Sequence, residues 1–156
     1  MRTLINQPII LRMTQLGAEE AARLRESYLN VMSYYFKDAS LNRTKLECIR
    51  RWGIDMGIPE SEIQFIYQNP DSVEFEPPHT RLEGIEQVYD LVYFFYLDGI
   101  VEDVELEIMM DYAKVLKLAP GVVGDVLKAI DTAPGDGRTP ASVREELKSI
   151  LEERED

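Results

Sequence analysis

The chain has 156 residues, one cysteine, one histidine and a formal net charge of −12, with an isoelectric point near 4.6. That length is enough for a core that buries roughly two thirds of the unfolded surface without staples; a lone cysteine excludes an internal disulfide, and the acidity opposes phosphate backbones and anionic membranes. The opening "MRTLINQPIILRMTQL" is broken by Pro8 and Arg12 and no long apolar run follows, so neither a signal peptide nor a membrane insertion is expected, and a reducing cytoplasm is.

The main organising feature is a repeat. Sliding the chain by sixty residues lays Tyr28 to Tyr67 over Val88 to Leu127 without a gap, with Asp38 on Asp98, Leu46 on Leu106, Glu47 on Glu107 and Trp52 on Tyr112. In chain order, the first copy opens with a helix ending in the aromatic run Tyr34-Tyr35-Phe36, too apolar for a surface. After a turn, Leu46, Ile49, Trp52 and Met56 recur at helical spacing, and Cys48 among them reads as a small buried hydrophobe rather than a nucleophile. Gly57 stops that helix, and Ile63 and Ile66 mark a third. The polar, proline-containing "QNPDSVEFEPPHT" is a connecting loop, and its His79 reads as a plain loop residue.

The second copy repeats the plan. Its first helix ends in Tyr93-Phe94-Phe95-Tyr96, its second carries Leu106, Met109, Ala113 and Leu116, and Pro120 suits the opening turn of the third. "APGDGR" is a break, after which Thr139-Pro140 resembles a helix start and Val143, Leu147, Ile150 and Leu151 give a closing helix over about 140–154. The expectation is an all-α fold of about seven helices in a single domain over 1–156. It contains a pseudo-two-fold repeat of a three-helix unit, with copies over about 24–67 and 84–127, and the C-terminal helix.

The stretch "YLDGIVEDVELEIMM", Tyr96 to Met110, is acidic throughout and holds no base. On a helical wheel Glu105 falls inside the apolar arc of Leu106, Ile108, Met109 and Tyr112, and an unpaired charge buried there is too costly. Two accounts stand. In one, Glu102 sits at the N-cap and Glu105, three residues on, reaches back to an orphan backbone N–H, while Asp98 and Gly99 shape the preceding turn. In the other, Asp98, Glu102 and Glu105 converge as hard oxygen ligands on a divalent ion. The spacing is not that of an EF-hand, and no phosphate-binding glycine loop or nucleophile elbow is present.

Asp98-Gly99, Glu105 and the turn Leu116-Lys117-Leu118 together resemble the signature of the TerB-like tellurite-resistance family, over roughly Gly17 to Ile130. The resemblance implies an all-helical domain with internal pseudo-symmetry and a role in bacterial stress and tellurite-resistance systems. It also implies weak binding of a divalent cation such as calcium or magnesium by acidic residues, with no enzymatic activity established for the fold. The first copy has Ala39 and Lys45 where the second has Gly99 and Glu105, so ion binding is expected in the second copy alone. The favoured function is a non-catalytic module that binds a partner protein and, weakly, a divalent ion. The alternative is an enzyme or sensor that takes a small metabolite in a pocket between the copies. Nucleic acid is not an expected partner, and self-association is left open.

Overall fold

The computed structural model describes residues 17–38, 41–97, 101–132 and positions 145, 146 and 149. Among these every regular element is helical: six α-helices and one 3-10 turn, with no strand. The all-α class is therefore as expected. The chain divides into two compact units, Met1–Glu76 and Pro77–Asp156. The first holds α1 (Ala18–Tyr35), α2 (Arg43–Asp55), α3 (Glu60–Gln68) and the 3-10 turn Pro70–Ser72; the second holds α4 (Arg81–Tyr96), α5 (Asp103–Val115) and α6 (Val122–Thr132). The expected closing helix over 140–154 and its Thr139-Pro140 start lie outside the described residues, apart from the helical positions 145, 146 and 149.

In the first unit, α1 buries Leu24, Tyr28, Val31, Met32 and Tyr35 at the spacing of one helical face. Beside that stripe runs a polar one, Ser27, Asn30 and Ser33, which is also buried. The partners of Asn30 and Ser33 come from the connecting loop. Asn30 Nδ2 donates to the Glu76 carbonyl at 2.8 Å, and the Glu76 N–H donates to Asn30 Oδ1 at 2.9 Å. Ser33 Oγ donates to the Val73 carbonyl at 3.0 Å. One face of α1 thus supplies the hydrogen bonds that a neighbouring strand would otherwise give this extended segment.

Helix α2 buries Cys48, Ile49, Trp52 and Gly53. The Tyr28 hydroxyl donates to the Ile49 carbonyl at 2.6 Å, reaching the α2 backbone over Gly53. A Cβ on Gly53 would collide with that hydroxyl and with Ile63 Cδ1 of α3, so the absence of a side chain is what lets the three helices close. The helix ends as expected at Gly57, whose φ is +86°. The Ile58 N–H bonds to the Gly53 carbonyl at 2.9 Å and the Gly57 N–H to the Ile54 carbonyl at 3.0 Å, the paired bonds of a Schellman motif.

In the second unit, α4 starts at a cap that the repeat reading did not single out. The Glu83 N–H donates to Thr80 Oγ1 at 3.1 Å, and the His79 N–H donates to Glu83 Oε2 at 2.8 Å. The buried Val88, Leu91, Val92 and Phe95 of α4 and Val122, Val123, Val126 and Ile130 of α6 form the bulk of this core. Helix α5 contributes Ile108, Met109, Tyr112 and Ala113, and the Tyr112 hydroxyl donates to Gln87 Oε1 of α4 at 2.8 Å. Its C-terminus closes with the same pair of bonds as α2, Leu118 N–H to Ala113 carbonyl and Lys117 N–H to Lys114 carbonyl, both at 3.0 Å. Here the left-handed residue is Lys117, at φ +61°.

One expectation is corrected. Pro120 does not open the third helix of this unit: α6 begins at Val122. The intervening Gly121 has φ +108°, which no right-handed helix can contain, and the Val122 N–H bonds back to the Ala119 carbonyl at 3.2 Å. Proline and glycine in that order occupy the two central positions of a tight turn, the use that a fixed φ followed by a positive φ suits best.

Candidate functional site: the acidic first turn of α5

The orphan N–H groups at the start of α5 set its chemistry. Glu102 is the N-cap, in extended backbone at φ −80° and ψ 154°, and its carbonyl accepts the first helical bond, from Leu106 at 3.1 Å. Glu105 stands at the third helical position and is 7% exposed. Its Oε1 accepts from the Glu102 N–H at 2.9 Å. The carboxylate therefore turns back on its own helix to close a donor that would otherwise be left open, and its negative charge lies where the helix dipole is positive. This is the capping account of Glu105, and it explains how a charge is held among Ile108, Met109 and Tyr112.

Of the three acids expected to hold an ion, the structure places Glu102 and Glu105 at one helix start, with Glu102 exposed and Glu105 buried. Asp98, with Gly99, lies outside the described residues. The donor set is hard oxygen, which suits calcium or magnesium. Two features oppose tight binding: one Glu105 oxygen already accepts from the backbone, and the positive end of a helix dipole disfavours a cation. Among the described residues no group of three histidine, cysteine, aspartate or glutamate side chains is placed to hold a metal ion.

The turn sixty residues earlier, at the start of α2, lacks that return arm. Asn42 is the N-cap of α2, and its Oδ1 accepts from the Lys45 N–H at 2.9 Å. No acid is required at the third position, and Lys45 occupies it.

No family model, curated protein or solved structure matches the chain. Its chemistry is accordingly read from its own groups.

The remaining candidates resolve into packing and local bonding. Cys48 is buried, and Arg51 Nη2 lies 3.7 Å from its sulfur. His79 is exposed in the loop before α4 and contributes its backbone N–H to the Glu83 cap. Tyr28 is fully buried, and loss of water pushes its phenol well above the ordinary value for a tyrosine, so the hydroxyl stays protonated and remains a donor to Ile49. On the surface, Arg50 of α2 reaches Glu47 at 3.1 Å and Glu60, the first residue of α3, at 2.9 Å, an exposed bridge of small energetic weight. No described helix is long and apolar enough to cross a membrane.

Asn30 and Ser33 are the polar residues that sequence reasoning missed. Their helical spacing of three on an otherwise apolar face was a readable signal that something polar must meet them. The partner, a loop carbonyl 46 or 40 residues away in sequence, was not readable.

Proposed function

We propose that this protein is a non-catalytic helical module of the TerB-like kind, which acts by binding a partner protein and holds a divalent ion weakly at the first turn of α5. The observation that carries the non-catalytic part is the employment of its buried reactive groups. The Glu105 carboxylate caps α5, the Tyr28 hydroxyl bonds the α2 backbone, and the Cys48 sulfur lies in the core beside Arg51. A catalytic group must be open to substrate and tuned for it; these three are buried, two of them bonded to helix backbone. The ion-binding part is supported by the position of Glu102 and Glu105 at one helix start, with Asp98 preceding them in sequence. It is the minor part, because an ion would compete with the cap.

A thermal-shift panel of divalent ions, nucleotides and small metabolites tests the reading. A modest rise in Tm with millimolar calcium or magnesium, and none with any organic compound, is the expected result. Selective stabilisation by one metabolite would replace the module with an enzyme or sensor. Capture from the native host with immobilised protein then identifies the partner class.

A further inference from the structure

We draw no further inference here: the strongest candidate, the apolar surface that Phe65 exposes on α3 in the first unit, is an unpartnered face, and nothing in the structure shows what covers it.

Discussion

Helices α2 and α5 begin at Arg43 and Asp103 and end at Asp55 and Val115, sixty residues apart at both ends, yet they satisfy the same backbone needs with different side chains. At the start of α2 the cap side chain of Asn42 takes the N–H of residue 45; at the start of α5 the side chain of Glu105 takes the N–H of the cap residue 102. Each bond is one arm of a capping box, and α5 has the return arm from Glu105 that a lysine at the third position of α2 cannot supply. The reversal from Lys45 to Glu105 therefore has a sufficient cause in helix chemistry. An acid at this position is first a solution to an unpaired donor, and only after that a candidate ligand.

The ends of the two helices differ in the same manner. Gly57 and Lys117 both close Schellman motifs with positive φ; glycine does so freely, whereas lysine carries the strain of a Cβ crowded against the backbone. Inside the units, Gly53 lies under the Tyr28 hydroxyl, while the positions sixty further on are the buried Ala113 and Val88. One unit combines a large residue with none at all, and the other has two small side chains.

The largest test of this comparison is at the core. Gly53→Val should destabilise the protein by about 3 kcal/mol, since both hydroxyl and methyl neighbours must move in a packed interior, whereas Ala113→Gly should cost only about 1 kcal/mol through helix propensity. Denaturant melts of the two variants decide it, and equal losses would remove the distinction between the two units. Next comes the polar stripe. Asn30→Ala should lose about 1 to 2 kcal/mol by stranding the loop groups it pairs with, and the segment Val73 to Glu76 should become the first site of limited proteolysis. Unchanged protease resistance would show that Asn30 does not hold that segment.

The caps should give smaller and matched effects. Asn42→Ala and Glu105→Leu are each expected to cost about 1 kcal/mol, with Glu105→Gln close to wild type because its amide oxygen still accepts from the Glu102 N–H. A Glu105→Leu protein more stable than wild type would mean that burial of the charge outweighs the bond it makes. The smallest pair sits at the helix ends. Gly57→Ala should lose about 1 kcal/mol and Lys117→Gly should gain somewhat less than that, since relief of strain is offset by greater freedom of the unfolded chain. Changes of the same sign in chemical denaturation would contradict the left-handed assignment at one of the two positions.

Much of this fold was legible in the residues. Trp52, Met56, Met109 and Tyr112 are buried where helical spacing put them, Phe36 and Phe95 lie in the core as their aromatic runs required, and Gly57 ends α2. Glu105 was legible as a cap because an acid on an apolar arc three residues after a cap position has few other uses. Local rules failed where two structures share one signal. A proline followed by glycine fits a tight turn as well as a helix start, and Pro120 takes the turn. Lysine gives no notice of a left-handed backbone, so the residues mark Lys117 as part of a turn but not its positive φ. Asn30 and Ser33 depend on a loop distant in sequence, which periodicity within one helix cannot supply. Of the candidate site, the cap was legible from Glu102 and Glu105, and the place of Asp98 lies outside the described residues.

The central claim is that the acids at the start of α5 serve the helix first and an ion weakly. Titration with calcium, followed by amide chemical shifts of the wild type and Glu105→Gln, tests it most directly. The account predicts saturable shifts at residues 101–107 with a dissociation constant of roughly 1 mM, at the weak end of the calcium range, none at 41–47, and weaker binding in the variant. Micromolar affinity, shifts centred on 41–47, or no shift at 101–107 would contradict it.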